Sequence, residues 1–554
     1  MTAIEARSEV GRERNLSERY SERHLHVVVV GAGFSGLSVA SRLRERGEEN
    51  FVVLERGESV GGVWRDNTYP GVVCDVPSHL YSLSFAPNTE WDWAFSPGAQ
   101  IKDYLESVVS DWGLRPWISL REELLDAAWD DEAEAWRIVT SERRFSADVL
   151  VSCAGPLTEP AFPDMPGLDR FRGKTFHTSR WDHEHDLAGE RVAVVGTGAS
   201  AVQVIPAIQS QVGRLLVFHR TPWWVVPRPD RKISEKEKRV LRVFPQLVRL
   251  YRLRQVAHRD LVNYRMIRRN RLVRRFLEKM SRRLLEEYVG DPELRAKLTP
   301  DYEIGCKRVL ITDDFYPALA KPNVELIASA VQEVRKGSLV AEDGTEREVD
   351  TIILATGFET SNSPILSRIR GRDGRSIDEV WNGRPRFHRA TTIAGFPNFF
   401  NLCSAGTGSG HGSMIWKAES QTAYVMDALQ VMRERNLSSF EVRPDAQDRY
   451  MGWVEEDLDS TVWARGGCQS WYLDDGGRPS LMWPRTMWGF SRMLRHFDAE
   501  HYLQRFAREA GQDVEQGEAI RARTFGETSP RGPRTLPKGR ITGSSPTFSP
   551  GLKL

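Results

Sequence analysis

The sequence predicts an α/β fold with two Rossmann-like dinucleotide-binding domains and a helical insertion. A strand-like run that passes into a glycine-rich turn and then a helical pattern occurs twice. A third strand-like run, 351–354, also ends at a glycine, and a long helical segment rich in arginine and lysine precedes it. At 554 residues the chain is too long for one hydrophobic core, so several domains are expected.

The first unit begins with the β-branched run 25–30, which we predict to be a strand. It continues as the turn 31–36, with the sequence GAGFSG, and a second strand is predicted at 51–54. Glycines here permit a tight turn, let backbone N–H groups approach a pyrophosphate and allow close helix packing. Glu55, 24 residues after Gly31, would accept hydrogen bonds from ribose hydroxyls and repel a 2′-phosphate. The first unit is therefore predicted to bind FAD or NAD.

The second unit repeats this order with the opposite charge. Strands are predicted at 191–195 and 215–218, on either side of the turn 196–201, with the sequence GTGASA. Arg220 stands 24 residues after Gly196, and its guanidinium suits the 2′-phosphate of NADPH. Two different cofactors, FAD and NADPH, imply hydride transfer from nicotinamide to flavin. A disulfide reductase is not expected, because the sequence has no C-x-x-C pair.

Composition narrows the class of protein further. Seventy-seven basic and 76 acidic residues nearly cancel, which gives no reason to expect nucleic acid as a partner. The N-terminus lacks the apolar core of a signal peptide, and no apolar run is long enough to span a bilayer. The odd number of widely spaced cysteines predicts no disulfide framework, no metal site and a reducing, cytoplasmic location; they are Cys74, Cys153, Cys306, Cys403 and Cys468.

Two longer motifs resemble one flavoprotein family. Residues 171–182 read F-x-G-x-x-x-H-x-x-x-W-D, which fills every defined position of the fingerprint of Baeyer–Villiger monooxygenases. Residues 61–75 are similar to the second signature of that family, G-G-x-W-x(4)-Y-P-G-x(3)-D. The resemblance extends from about residue 24 to about residue 510. The related heteroatom-oxidising flavin monooxygenases usually end the fingerprint with tyrosine, whereas this chain has Trp181.

The resemblance implies roles for individual residues. Arg308 would be the active-site arginine beside the flavin and Asp75 its carboxylate partner, so these two form the predicted catalytic pair. Lys307 would join Arg220 at the 2′-phosphate. Trp471 resembles a family tryptophan that contacts the nicotinamide ribose from a mobile loop, although 473–478 departs from the N-x-P-G-K form of some members. The residues predicted to bind cofactor are Gly31, Gly33, Phe34, Ser35, Gly36, Glu55, Trp64, Asp75, Tyr81, Gly196, Thr197, Gly198, Ser200, Ala201, Arg220, Thr221, Lys307 and Trp471.

Two histidines receive other expectations. His177, inside the fingerprint, is expected to brace the linker between the nucleotide domains or to take part in function without doing the chemistry directly. His411, in the glycine-rich stretch 406–412, is expected to position a loop near the flavin.

The implied function is an FAD- and NADPH-dependent monooxygenase acting on a ketone and O₂. It would insert one oxygen atom next to the carbonyl, through a C4a-peroxyflavin and a tetrahedral Criegee adduct, to give an ester or lactone. Arg308, permanently charged, would stabilise both anions. The alternatives are an N- or S-oxygenase and a catalytically silent flavoprotein. Trp181 and the Arg308–Asp75 pair favour the ketone oxidiser.

The predicted boundaries follow from the two units. We predict a charged N-terminal extension at 1–23, an FAD-binding domain from 24–165 and 385–524, an NADPH-binding domain from 166–229 and 304–384, a helical insertion at 230–303 and a disordered tail at 525–554.

The helical insertion has an unusual charge. Residues 231–283 hold 19 arginines and lysines and four acidic residues, a net charge of +15, with apolar residues at near-helical spacing. One interpretation is a set of solvated amphipathic helices packed on the nucleotide domains. The other is a basic face that contacts anionic lipid or an acidic partner such as a carrier protein.

Overall fold

The structure is a computed structural model that describes residues 23–360, 363–410 and 412–507. The N-terminal extension up to residue 22, the predicted disordered tail and His411 lie outside the described residues. The strands are β1 (Arg23–Val30), β2 (Phe51–Glu55), β3 (Ile118–Leu120), β4 (Leu124–Asp130), β5 (Ala135–Thr140), β6 (Arg144–Ser152), β7 (Lys174–His177), β8 (Arg191–Val195), β9 (Arg214–Phe218), β10 (Val225–Val226), β11 (Leu310–Ile311), β12 (Val324–Ile327), β13 (Val331–Val334), β14 (Ser338–Ala341), β15 (Glu346–Glu348), β16 (Thr351–Leu354), β17 (Ile369–Arg370), β18 (Phe399–Asn401), β19 (Leu437–Val442) and β20 (Tyr502–Phe506).

The helices connect and cover these strands. They are α1 (Phe34–Glu45), α2 (Val63–Asp66), α3 (Gly98–Asp111), α4 (Ala201–Ile208), α5 (Glu235–Val243), α6 (Gln246–Ile267), α7 (Arg271–Tyr288), α8 (Pro292–Leu298), α9 (Phe315–Leu319), α10 (Pro364–Ser367), α11 (Ile377–Trp381), α12 (Met414–Glu434), α13 (Pro444–Asp459), α14 (Val462–Arg465) and α15 (Met487–Met493). None of the described helices is long and apolar enough to cross a membrane.

The first predicted unit forms the centre of a large mixed sheet. Its order is β17-β4-β5-β6-β1-β2-β3, and β18 also pairs with β6. The strands β2, β1, β6 and β18 pair in parallel, while β4, β5 and β6 pair antiparallel. The β-branched run at the centre of β1 is fully buried, because this strand has neighbours on both edges and α1 follows it closely.

The second predicted unit forms a separate parallel sheet with the order β12-β9-β8-β16-β7. The strands predicted at 191–195 and 351–354 are observed with those bounds, and β16 lies between β8 and β7. The two Rossmann-like sheets and the four helices α5–α8 between residues 235 and 298 confirm the predicted fold class.

One predicted boundary needs correction. The second part of the predicted NADPH-binding domain, 304–384, includes β17. That strand pairs instead with β4 at the edge of the first sheet, in the register Ile369↔Ala127 and Arg370↔Ala128. The chain therefore returns to the first sheet before residue 385. No local pattern signals this crossing, because an edge strand of two residues carries almost no periodicity.

The expectation that no cysteines pair is also wrong for two of them. Cys306 and Cys468 form a disulfide between residues 162 apart in sequence, with their Cα atoms 6.1 Å apart. Cys74, Cys153 and Cys403 are free and buried. Spacing could not reveal this pair, because the fold brings together two distant loops. Since disulfides are uncommon in reducing compartments, the cysteines give no support to a cytoplasmic location, which stays a prediction.

Candidate active site

The first glycine turn connects β1 to α1 with little room for side chains. Gly31 has φ +102°, and a Cβ there would stand 2.7 Å from the carbonyl oxygen of Cys153. A Cβ on Gly36 would stand 1.8 Å from the carbonyl oxygen of Gly31. Only glycine fits at these two positions. The N-terminus of α1 is thereby left open to an anionic group.

Glu55 ends β2 beside this turn and is buried. Its Oε2 accepts a hydrogen bond of 2.9 Å from the backbone N–H of Ala32. Its Oε1 accepts bonds from the backbone N–H of Gly57, at 2.8 Å, and from the Arg65 guanidinium, at 2.5 Å. Strand pairing therefore brings the predicted ribose-binding carboxylate to the glycine turn, as expected for β2 next to β1.

An aromatic cluster lies on the helix side of the same turn. Phe34, at the start of α1, packs edge-on against Tyr81 with ring centroids 5.2 Å apart. The Trp64 indole donates a 3.1 Å hydrogen bond to the Tyr81 hydroxyl, and these rings also meet edge to face. The structure thus brings three predicted cofactor-binding aromatics together. Their mutual packing accounts for the position of Trp64 with no ligand contact.

The second glycine turn, between β8 and α4, has the same geometry. Gly196 has φ +107°, and a Cβ there would stand 2.6 Å from the carbonyl oxygen of Ala355. Thr197 and Ala201 are buried within the turn, and Ser200 precedes α4. Gly198, in contrast, would have no atom within 4 Å of an added Cβ, so its surroundings stay open.

Arg220 and Lys307 come together because β10 and β11 pair in parallel. The register Val225↔Leu310 lays the segment 220–224 beside 305–309. The Lys307 ammonium lies 5.3 Å from the ring centre of Trp223 and 5.2 Å from that of Tyr302. Burial, and then the charge of Arg220, lowers the pKa of Lys307. Two cations held this close form a site suited to a phosphate.

The signature segment 61–75 joins the two glycine turns. The Gln203 side chain on α4 accepts a 3.0 Å hydrogen bond from the Tyr69 hydroxyl and donates a 2.9 Å bond to the carbonyl oxygen of Val73. A Cβ on Gly71 would stand 2.6 Å from the carbonyl oxygen of Gln203. The tyrosine and glycine of the signature therefore fasten this segment to the helix of the second unit, and Asp75 follows directly.

Arg308 and Asp75 form a bidentate ion pair. The Arg308 guanidinium donates from Nε to Oδ2 at 2.8 Å and from Nη2 to Oδ1 at 2.6 Å. The negative charge of Asp75 raises the pKa of Arg308 further above its usual value, against the effect of burial. By surface area the arginine side chain is still 33% exposed, so solvent reaches one side of it. The pair offers a fixed, permanently charged donor with N–H groups to spare.

Two further arginines of α6 were missed by sequence reasoning. Arg252 is buried and bonds to the carbonyl oxygen of Ser82 and, at 3.0 Å, to the carboxylate of Glu419. Arg259 interacts electrostatically with Asp75 and Arg308, and burial lowers its pKa. The only signal for them was the dense arginine content of the insertion, which does not distinguish buried guanidinium groups from solvated ones.

The loop after β18 begins beside the first glycine turn. The Ser35 hydroxyl donates a 3.2 Å hydrogen bond to the sulfur of Cys403. Further along, the buried Lys417 ammonium donates to the carbonyl oxygens of Thr407, at 2.6 Å, and Gly408, at 3.3 Å. Burial lowers the pKa of Lys417 to about 7. Lys417 was also missed, because a lysine within a helical pattern is usually exposed.

The segment 466–472 packs against the segment 303–308, which carries Arg308. The backbone N–H of Glu303 donates a 3.1 Å bond to the carbonyl oxygen of Gly466, and the disulfide follows two residues later. Trp471 is partly exposed and meets Tyr472 edge to face at 4.7 Å. Tyr472, missed in the sequence, is buried and interacts with Arg308.

His177 is placed away from this cluster. It ends β7, opposite Leu354, which in turn lies opposite Val195 before the second turn. The ring is buried, its Nδ1 contacts the hydroxyl of Ser179 at 2.9 Å, and burial lowers its pKa to about 4. A neutral histidine in this position fits the expected bracing role.

Comparison with known proteins agrees with this arrangement. The model of the flavin-binding monooxygenase-like family matches residues 24–369. A Baeyer–Villiger monooxygenase of Streptomyces coelicolor is 49% identical over 484 residues, covering 86% of this chain and 92% of that protein. The chain belongs to the Baeyer–Villiger monooxygenases.

A second curated relative and a solved structure are also similar to this chain over most of its length. A Baeyer–Villiger monooxygenase of Pseudomonas aeruginosa is 43% identical over 485 residues, covering 87% of this chain and 91% of that protein. Among solved structures, cyclohexanone monooxygenase from Rhodococcus sp. Phi1 bound to NADP⁺ superimposes with a TM-score of 0.79 at 27% identity, covering 88% of this monooxygenase and all of that chain. The residues matched by the family model include both glycine turns and the Arg308–Asp75 pair.

Proposed function

We propose that this monooxygenase inserts one oxygen atom of O₂ beside a ketone carbonyl at the Arg308–Asp75 pair, giving an ester or lactone. The single observation that carries the proposal is a fixed guanidinium between the two glycine turns, in a chain of this family. The N- or S-oxygenase alternative is not favoured, because the relatives of highest identity named above are Baeyer–Villiger monooxygenases.

FAD and NADPH are the cofactors. Their fit is supported by the geometry of the turns. The close packing at Gly31 and Gly36 leaves no room for a side chain at either position, and the carboxylate of Glu55 lies at the first turn, where it would accept hydrogen bonds from a ribose. Arg220 and Lys307 form a cationic pair suited to the 2′-phosphate. When bound, reduced FAD activates O₂ and NADPH supplies the hydride.

The residues of the chain would act by position and charge. Arg308 cannot lose its proton at working pH, so it can hold an oxyanion without acting as an acid. Asp75 fixes the plane of the guanidinium through two hydrogen bonds and leaves its other N–H groups available. Trp64 and Tyr81 would shape the flavin side of the site, and Trp471 the nicotinamide side. The rest of the predicted cofactor-binding set remains part of this proposal.

The test is Arg308→Ala in the FAD-loaded enzyme. The variant should retain FAD and be reduced by NADPH, but ester formation should fall about 10²–10³-fold, the usual cost of one preorganised donor. Arg137→Ala, on the exposed face of β5, serves as the control and should leave activity unchanged. Ester formation at a normal rate in Arg308→Ala would remove Arg308 from the mechanism.

We further propose that the outer face of α6 and α7 rests on an anionic lipid surface. Leu272 and Phe276, one turn apart on α7, are 78% and 65% exposed, and Leu250 and Leu261 are exposed on α6. On α6 they lie opposite the buried face that contains Arg252. Around them stand basic residues without an ion-pair partner among the described residues: Arg249, Arg254, Arg265, Arg271, Arg275 and Lys279.

The charge and the shape of this outer face favour a lipid surface over a second copy of the chain. Apolar side chains scattered on convex helices and surrounded by arginine match the interface of an anionic bilayer, which accepts single side chains at irregular spacing. A symmetric pairing of two copies through this face would oppose two segments of net charge +15. The inner face of α6 also carries Arg259, which interacts electrostatically with Asp75 and Arg308, so the lipid surface would lie next to the active site.

Sedimentation with vesicles tests this contact. The enzyme should bind vesicles that contain phosphatidylglycerol at low salt, bind pure phosphatidylcholine weakly, and lose binding at high salt. The double variant Leu272→Ser/Phe276→Ser should lose binding, whereas Leu503→Ser, an exposed leucine of β20, should not. Absence of binding at low salt would overturn the proposal, as would binding to an acidic carrier protein without binding to vesicles.

A further inference from the structure

We infer that Glu303 is a positioning residue that fastens the turn before Lys307 and Arg308 to the helical insertion, and so fixes both cations in the site. The inference rests on the function proposed above, in which Arg308 stabilises an oxyanion and Lys307 binds the 2′-phosphate of NADPH. Glu303 is the last residue of the insertion predicted at 230–303, so the chain enters the site through it.

A tight turn, 303–306, separates Glu303 from the two cations. The backbone N–H of Cys306 donates a 3.1 Å hydrogen bond to the carbonyl oxygen of Glu303. Gly305, the third residue of this turn, has φ +92°, a conformation that glycine adopts without strain. Lys307 and Arg308 follow directly. The direction in which they leave the turn therefore depends on how its first residue is held.

Two arginines of the insertion hold the carboxylate of Glu303. Arg269, between α6 and α7, donates from Nε to Oε2 at 3.0 Å and from Nη2 to Oε1 at 2.8 Å. Nη1 of Arg274, on α7, lies 2.9 Å from the same Oε2. The hydrogen bonds from Arg269 lower the pKa of Glu303 below its usual value, so the carboxylate is charged at neutral pH. A bidentate pair within a network of charges can fix a turn, whereas an isolated surface pair contributes little.

The backbone at Arg269 has a conformation that is uncommon for a residue with a side chain. Its φ is +58°, in the left-handed region that glycine occupies most easily after a helix. Glycine at this position would remove the strain, but it would also remove the guanidinium that holds Glu303. The side chain at position 269 therefore joins the turn between α6 and α7 to the 303–306 turn.

The 303–306 turn also contacts the segment 466–472. The backbone N–H of Glu303 donates a 3.1 Å hydrogen bond to the carbonyl oxygen of Gly466, and Cys306 forms the disulfide with Cys468. These two attachments do not depend on the side chain of Glu303. The fold around the turn should therefore persist when only the carboxylate is neutralised.

Neutralising Glu303 would release the turn from the insertion. Arg269 and Arg274 would then face a neutral side chain, and their like charges would repel each other without the carboxylate between them. Lys307 and Arg308 would keep their own charges but lose their fixed positions. Because a displacement of about 1 Å can cost up to about 10²-fold in rate, the effect should appear in function more than in stability.

The experiment compares Glu303→Gln with wild type as FAD-loaded enzymes. The KM values for NADPH and NADH, the ester formed per NADPH consumed and the hydrogen peroxide released are measured. The KM for NADPH should rise about threefold or more while that for NADH changes less, because only NADPH carries the phosphate bound by Lys307. Ester per NADPH should fall about fivefold or more, and each NADPH that yields no ester should yield one hydrogen peroxide from O₂.

Glu325→Gln is the matched control. Glu325 is also bound by two arginines, Arg214 and Arg347, but it lies on β12 at the edge of the second sheet. The side chains of Glu325 and Glu303 are 28% and 25% exposed. The control should change the melting temperature about as much as Glu303→Gln and leave the kinetic quantities at wild-type values.

A second variant tests whether the effect passes through the ion pair. Arg269→Gln should change the same quantities in the same direction, and it supplies the measurement if Glu303→Gln does not fold. The double variant Glu303→Gln/Arg269→Gln should lose no more than the stronger single variant, because both changes remove one interaction. Additive losses would show separate roles and overturn the inference.

The remaining outcomes separate this inference from the proposed function. Wild-type KM values and a wild-type ester yield in Glu303→Gln would overturn the positioning role, as would equal changes in Glu325→Gln. If wild type forms no ester from any ketone, the proposed function fails. The ratio of the KM values for NADPH and NADH then decides whether Glu303 positions Lys307.

Discussion

The pairing of two short strands brings Arg220 and Lys307 together. Each alone is a basic residue near a strand, but the parallel pair of β10 and β11 brings their segments together, and the charge of Arg220 contributes to the lowered pKa of Lys307. The offset of Arg220 from Gly196 made it predictable from sequence, since the Rossmann unit has a fixed length. Lys307 came only from the family resemblance, because its position depends on where the chain returns after the insertion.

Replacing Arg220 by alanine tests the phosphate role. The variant should raise the KM for NADPH about tenfold or more and change that for NADH less than about twofold, because only NADPH carries the 2′-phosphate. Steady-state kinetics with both cofactors measure this. Arg214→Ala, an exposed arginine that pairs with Glu325 at the start of β9, is the control. Equal losses with both cofactors would contradict the assignment.

Lys417 makes a pH-dependent contribution to stability. The unfolded lysine titrates near 10.5, whereas burial lowers its folded pKa to about 7. Below pH 7 Lys417 is protonated in both the folded and the unfolded protein, so the folded state carries the full free-energy cost of burying the charge. Between pH 7 and about 10 the unfolded state binds more protons, so the free energy of unfolding rises by about 1.4 kcal/mol per pH unit. The neutral amine still has two N–H groups for its two carbonyl partners.

Thermal melts of wild type and Lys417→Met across pH 6 to 10 measure this effect. The melting temperature of wild type should increase relative to that of the variant as pH rises through this range. The comparison cancels every other titrating group that the two proteins share. A difference that stays constant with pH, or falls, would show that the ammonium remains charged in the fold.

At the scale of elements, the disulfide connects two loops that carry the site. It joins the residue before Lys307 to the segment that ends in Tyr472. The strand–turn–helix units were predictable because each is a local pattern of β-branched runs and glycines. The packing of 466–472 on 303–308 was not, since nothing in either segment indicates the other.

Counting thiols tests the disulfide directly. Alkylation of the denatured, unreduced protein should label Cys74, Cys153 and Cys403, and reduction should expose two more thiols. Cys468→Ser should lower the melting temperature. The disulfide closes a long loop, which reduces the chain entropy of the unfolded state and stabilises the fold by up to about 5 kcal/mol. Wild type with a reductant should melt like the variant. Five labelled thiols without reduction would contradict the pairing.

For the whole molecule, the two-sheet architecture followed from the two glycine turns, and the family from two motifs. Asp75 and Arg308, 233 residues apart, could be paired only through the resemblance. The buried roles of Arg252, Arg259, Lys417 and Tyr472 were not predictable, because burial is decided by how the insertion and the loop after β18 pack on the two units. The pairing of β17 with the first sheet was not predictable for the same reason, because it depends on packing and not on a local sequence pattern.

The central claim is that this enzyme transfers one atom of O₂ to a ketone. The most direct test is to supply ¹⁸O₂, NADPH and a cyclic ketone such as cyclohexanone to the FAD-loaded protein and to analyse the product by mass spectrometry. We predict a lactone that carries one ¹⁸O atom, formed with one NADPH consumed per product. NADPH oxidation that yields only hydrogen peroxide across a panel of cyclic and aryl ketones, or a lactone without ¹⁸O, would contradict the account.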